Sequence, residues 1–267
     1  SNGSDGVFLT GSRHAQWGMV HTLAGVGSLV SKSSALESFE FTNFRCGEVH
    51  GWQRAFCQAN WVNVESAWGS VENGDVAALA MVPAPSDFVS HVALLDVTDE
   101  DLSSFYEREA GYHIKSVPYW QRSGDGTAVC CGNAFLCTAC VDDAEADALW
   151  AAGGAMEMHC RGSDYVTEWM QLSLRPLWPS PESQLLPSPG YLQLCAEAHL
   201  HAGLLDHFLD STLLNDRVTT LRAYCASSGC LRDLMSSQNL ESNEAETEDQ
   251  TVVTAPRMSA AGRSNKD

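Results

Sequence analysis

The residues best placed for acid–base chemistry fall in one short helical stretch. After Thr98-Asp99-Glu100-Asp101, the apolar side chains Leu102, Phe105 and Tyr106 recur at helical spacing, and the next step of that stripe lands on Glu109. A carboxylate thus stands where a core side chain is expected. Held against Leu, Phe and Tyr it loses hydration, which favours uptake of a proton and suits it to general acid–base work. The other reading is a helix that frays before Gly111 and leaves Glu109 in water. Glu107 and Arg108 fall on flanking positions, where water can solvate them.

A second candidate is Gly25-Val26-Gly27-Ser28-Leu29, directly after the first apolar run. Two glycines let the backbone come close to a ligand and turn N–H groups towards a carboxylate or phosphate; an ordinary tight turn is the plainer reading. The run is not a dinucleotide fingerprint, because Val30 stands where the third glycine would fall and no βαβ unit surrounds it. Ser28 also lacks the G-x-S-x-G setting of a nucleophile elbow.

Cys130, Cys131, Cys137 and Cys140 could suggest zinc binding or a redox pair. They lie in a strand-like run, 128–141, where residues three apart face opposite sides, so no metal site is expected. His199 and His201 diverge on a helix, and they and His207 are read as surface or core. Asp210, Asp216, Arg217 and Arg222 are read as caps and ion pairs.

The elements that must hold these groups follow from hydrophobic periodicity. Short apolar runs at 17–23, 75–82 and 91–97 read as strands. Thr98 caps a helix that Gly111 ends, and a strand pair at 112–120 and 127–140 is joined by the turn-like Ser123-Gly124-Asp125-Gly126. Helices follow at 143–153, at 190–202 after Ser188-Pro189, and at 212–225. Strands first and helices later, without βαβ alternation, give an α+β layout. A single domain is expected over residues 15–228. It is flanked by a disordered Gly/Ser-rich segment at 1–14 and a disordered acidic tail at 229–267.

Composition narrows the partners. Acids outnumber bases 34 to 15, and the net charge of -19 argues against nucleic acid and against a polybasic membrane anchor. No run approaches the ~20 apolar residues of a membrane span, and the start lacks the layout of a signal peptide. The chain begins without Met, so an upstream segment is expected. The ten cysteines show no regular pairing rhythm and read as buried or free thiols of a cytoplasmic protein. The sequence leaves the oligomeric state open.

Taken in order, several motifs resemble the γ-glutamylcyclotransferase superfamily. Val26-Gly27-Ser28-Leu29 matches a Tyr-Gly-Ser-Leu loop after the first strand, and Gly51-Trp52-Gln53-Arg54-Ala55-Phe56 matches a Gly-aromatic-x-Arg-x-Phe element. Asp96 to Leu102 matches the strand end Asp-Val-Thr-Asp-Glu-Asp-Leu. Tyr106-Glu107-Arg108-Glu109-Ala110-Gly111-Tyr112 matches the short helix that carries a catalytic glutamate. The match spans about residues 17–120. The resemblance implies an α+β fold with a small mixed β-barrel and flanking helices. It implies an enzyme that cyclises a γ-glutamyl compound to 5-oxoproline without metal or cofactor, the substrate being a γ-glutamyl amino acid, glutathione or a γ-glutamyl amine. By the same resemblance Glu109 is the proton acceptor, Gly25, Val26, Gly27, Ser28 and Leu29 hold the γ-glutamyl group, and Tyr112 lines the pocket. Val26 stands where the family has tyrosine, which removes a hydroxyl and an aromatic wall. Two further readings stay open: a noncatalytic binding module of the same fold, with the acidic tail as contact, and a Cys-rich zinc or redox protein.

Overall fold

The computed structural model describes residues 19–109, 111–151 and 177–232. The chain divides into two compact units, residues 1–224 and 225–267. The segment 1–14 and the tail beyond 232, both expected to be disordered, lie outside the described residues, as does the end of the helix expected at 143–153.

In the first unit, β1 (His21–Gly25) leads through a 3-10 turn, Ser28–Val30, to α1 (Lys32–Leu36), β2 (Thr42–His50), β3 (Trp52–Ala59) and α2 (Trp61–Glu65). Next come β4 (Ala77–Pro83), β5 (Val89–Val97), α3 (Asp99–Arg108), β6 (His113–Arg122), β7 (Ala128–Thr138) and α4 (Asp143–Ala151). The later helices are α5 (Pro189–His201), α6 (Leu205–Ser211) and α7 (Leu221–Ser228), the last of which runs into the second unit.

Strands β1-β5-β2-β6-β7 are neighbours in that order, and β7 pairs back to β1 in parallel, which closes a five-stranded barrel. The other pairings within the barrel are antiparallel, so the barrel is mixed, and β4 and β3 extend the sheet from β7. The layout is thus α+β with a small mixed barrel and flanking helices. Alternate residues fill the barrel core: Ala24 and Val26, Val92 and Leu94, Val117 and Tyr119, Ala134 and Leu136. On β5, Ala93 and Leu95 are also buried, as in a strand covered on both faces.

The hairpin of β6 and β7 forms where its turn residues placed it, with the Gly126 N–H donating to the Ser123 carbonyl. The first strand lies at His21–Gly25, further along than the apolar run suggested. Of the helix expected at 212–225 only the last part forms, as α7 from Leu221; residues 212–220 run as isolated bridges and a turn. There Asp216 Oδ1 accepts the N–H groups of Val218 and Thr219, and Leu213 bonds the backbone of Arg54 and Phe56. A local Asx turn plus strand-like pairing outcompetes helical periodicity. Strands β2 and β3 escaped the pattern because they carry Glu48, Arg54 and Gln58 into buried positions. No described helix is long and apolar enough to cross a membrane.

Candidate active site

Helix α3 begins as its sequence dictates. Thr98 Oγ1 accepts the Asp101 N–H at 3.3 Å, and three acids occupy the first turn, where they oppose the helix dipole. Phe105 anchors the inner face, 1% exposed and edge-to-face on Phe39. The helix stays intact through Arg108, and Glu109 caps it with its N–H on the Phe105 carbonyl. Gly111, at φ +98°, then turns the chain. Glu109 therefore continues the apolar stripe, and its side chain is only 14% exposed.

Its carboxylate has two neighbours. Oε1 accepts from Arg108 Nε at 3.1 Å, and Oε2 lies 3.6 Å from the Cys137 thiol. Burial first, then the nearby carboxylate, pushes the Cys137 thiol well above its ordinary range, so it stays protonated and donates.

Arg108, on a flanking position of the helix, keeps only 23% of its side chain exposed. Its guanidinium reaches inward to Ser28 Oγ at 3.1 Å, the Ser34 carbonyl at 3.1 Å, Ser34 Oγ at 3.4 Å and Ser38 Oγ. The planar fork finds more acceptors on the turn and α1 than helical phase would assign to it. It thereby ties the carboxylate of α3 to the loop after β1.

The candidate loop residues serve different ends. Gly25 pairs with Ala93, and a Cβ there would lie 2.7 Å from Leu29 Cβ, so the turn folds back too tightly for any side chain. Val26 points into the barrel core, and its carbonyl accepts from Arg54 Nε at 3.0 Å. That contact gives the buried Arg54 a role: burial lowers its guanidinium to about 10, and its donors hold the loop and the His91 carbonyl. Leu29 is core. Ser28 alone of the five lines the cavity, and its N–H is taken by the Cys195 sulfur.

Glu109, Arg108, Ser28 and Tyr112 line one cavity of about 590 Å³, together with Tyr191 and Trp68. That volume suits a small-molecule ligand. Tyr112 is 6% exposed and packs edge-to-face on Trp178. Tyr191, from the first turn of α5, brings its hydroxyl against Gly27, where an added Cβ would sit 2.5 Å from it. Burial, followed by the Cys195 and Glu109 charges, pushes this phenol well above its ordinary range, so it remains a donor.

Sequence reasoning missed Arg108, Cys137 and Tyr191. Strand alternation with the inward Leu136 could have put Cys137 on the face towards α3; nothing local marked Tyr191. Among the other candidates, Cys130 and Cys131 are exposed and Cys137 and Cys140 buried. His199 is buried and stacks on Phe208, whereas His201 is exposed. Arg222 pairs with Asp206 and Asp210, as its charge pattern suggested. Among the described residues no group of three or more His, Cys, Asp or Glu is arranged to hold a metal ion.

Compared with known proteins, the chain matches no family model and no curated protein. Among solved structures it is similar to a gamma-glutamyl cyclotransferase at 12% identity and a TM-score of 0.32, over 45% of this chain and 68% of that one. An uncharacterized protein from Homo sapiens matches at 15% identity and a TM-score of 0.30, over 45% and 68% of the two chains. A gamma-glutamyl cyclotransferase specific to glutathione from yeast matches at 12% identity and a TM-score of 0.32, covering 68% of this chain and 98% of its own.

Proposed function

We propose that the protein is a γ-glutamylcyclotransferase-like enzyme that cyclises a γ-glutamyl compound to 5-oxoproline. The observation that carries this reading is one cavity lined by Glu109 and by Ser28 of the glycine loop, with Arg108 bonded to both. The reaction is intramolecular: the substrate α-amine attacks its own γ-carbonyl carbon, the new C–N bond closes the lactam, and the original amide C–N bond breaks. Binding must fold the substrate for attack, and the site must move one proton and stabilise an oxyanion.

In this reading Glu109 takes the ammonium proton and returns it to the leaving nitrogen. Arg108 fixes the carboxylate's orientation through Oε1 and leaves Oε2 beside a neutral thiol. The Ser28 hydroxyl and the protonated Tyr191 phenol supply polar contacts at the loop. Tyr191 also offers the aromatic hydroxyl that Val26 does not. Tyr112 and Trp68 wall the cavity. The chemistry is redox-neutral and uses no metal or cofactor. The substrate class is γ-glutamyl amino acids, glutathione or γ-glutamyl amines, and the setting is cytoplasmic.

One observation favours the binding-module alternative: Val26 faces the barrel core and gives the cavity no side chain. The test is 5-oxoproline release from a panel of these substrates by the purified, folded chain. Turnover abolished by Glu109→Gln supports the enzyme; binding of γ-glutamyl compounds without turnover supports the module.

A further inference from the structure

The end of α7 brings two cysteines together by a local device. The helix stops at Ser228, and Gly229 follows in the left-handed region at φ +74°. Its N–H donates to the Cys225 carbonyl at 2.9 Å, the single bond of an αL cap. The reversal lays the next residue back over the last turn. Caps of this type commonly seal that point with an apolar contact. Here both partners are cysteines, Cys225 and Cys230, with Sγ atoms 2.9 Å apart.

We propose that Cys225 and Cys230 form a redox-active dithiol that reacts with small-molecule disulfides and closes to an intrachain disulfide. The sulfurs need to approach by less than about 1 Å to reach bonding distance, and both belong to the second compact unit. Cys230 is half-buried and available for attack, whereas Cys225 is 2% exposed. The hydrogen bond with the Cys225 thiol holds Cys230 below the ordinary thiol range, against the opposing effect of burial, and so raises its thiolate fraction. Other thiols are chemically muted: burial pushes Cys140 and Cys195 up to about 12. Cys130 and Cys131 are exposed, and the Cys131 thiol is turned to the Val129 carbonyl at 3.2 Å rather than to its neighbour.

The exchange balances without further reactants. The Cys230 thiolate attacks one sulfur of a disulfide RSSR, forms a mixed disulfide and expels RS⁻. Cys225 then loses its proton, attacks Cys230 Sγ and expels the second RS⁻. Two electrons pass from the cysteine pair to RSSR, which leaves as two RSH. None of this depends on the role of Glu109.

The test is to equilibrate the native full chain with glutathione disulfide and reduced glutathione over a range of ratios, then alkylate and digest it with trypsin. Both cysteines fall in one peptide, Ala223–Arg232. The expected result is a peptide about 2 Da lighter that resists alkylation. Cys225→Ser is expected to trap the glutathione adduct on Cys230, and Cys230→Ser to leave Cys225 reduced. The proposal is overturned if the wild-type peptide keeps both thiols at ratios where Cys46, Cys130 and Cys131 have formed adducts. A stable adduct on wild-type Cys230 without ring closure overturns it equally. The wild-type measurement decides even if a variant does not fold.

Discussion

Replacing Glu109 by Gln separates catalysis from architecture, because the two effects differ in size by a calculable margin. The amide has the carboxylate's volume. With its oxygen towards Arg108 Nε and its nitrogen towards the Cys137 sulfur, it fits both existing neighbours. What folding loses is the charge on one partly exposed ion pair, worth about 1 kcal/mol. For a chain of this size that lowers Tm by roughly 2–4 °C. What catalysis loses is the proton acceptor, about 10²–10⁴ in kcat/KM, equivalent to about 3–5 kcal/mol of barrier. A 5-oxoproline release assay paired with thermal unfolding reads both numbers on one preparation. Turnover within a few-fold of wild type in a folded Glu109→Gln protein would mean that another group moves the proton, and the reasoning fails. Loss of activity together with loss of the folding transition would instead make Glu109 structural.

Further outcomes follow from the same geometry. Arg108→Lys keeps the charge but cannot span Ser28, Ser34, Ser38 and Glu109 at once; it should cost about 2 kcal/mol in urea unfolding and lower kcat more than it raises KM, and an unchanged kcat would show that the tie is idle. Gly27→Ala drives a Cβ into the Tyr191 hydroxyl and should cost about 1–3 kcal/mol, part of which returns when Tyr191→Phe is added; strictly additive costs would refute the contact. His199 is held at about 3 and His207 at about 4, in both cases by burial first and the Arg54 charge second. The unfolded chain therefore binds more protons than the fold below the ordinary histidine value of 6.5, and stability is full above that pH and falls on acidification towards about 4. The buried His199 contributes at most about 1.4 kcal/mol per pH unit and the half-exposed His207 less; urea midpoints that stay flat between about pH 7 and 5 would contradict this.

Much of the fold was legible because its signals are local. The Thr98 cap, the Gly111 stop, the 123–126 turn and the apolar run of β5 each depend on residues within a few positions of one another. The errors share a cause. β2 and β3 look too polar for a sheet until their partners are present: Arg54 is fully buried and yet bonds the Val26 and His91 carbonyls. The stretch 212–220 has helical periodicity, yet Asp216 and the strand-like pairing of Leu213 compete successfully for its backbone.

The sequence by itself determined the inward step of Glu109 on an apolar stripe, the glycine-permitted fold-back at 25–29 and the α+β order of elements. It also set the spacing that lets a glycine cap bring Cys225 and Cys230 together. These are consequences of helical pitch, strand alternation and the conformational freedom of glycine. Only the tertiary structure decided that Arg108 turns inward to a serine 80 residues away, that Tyr191 covers Gly27, and that the Cys137 thiol meets the Glu109 carboxylate. Barrel closure and helix packing set those meetings, and neither is encoded within any single stretch of chain.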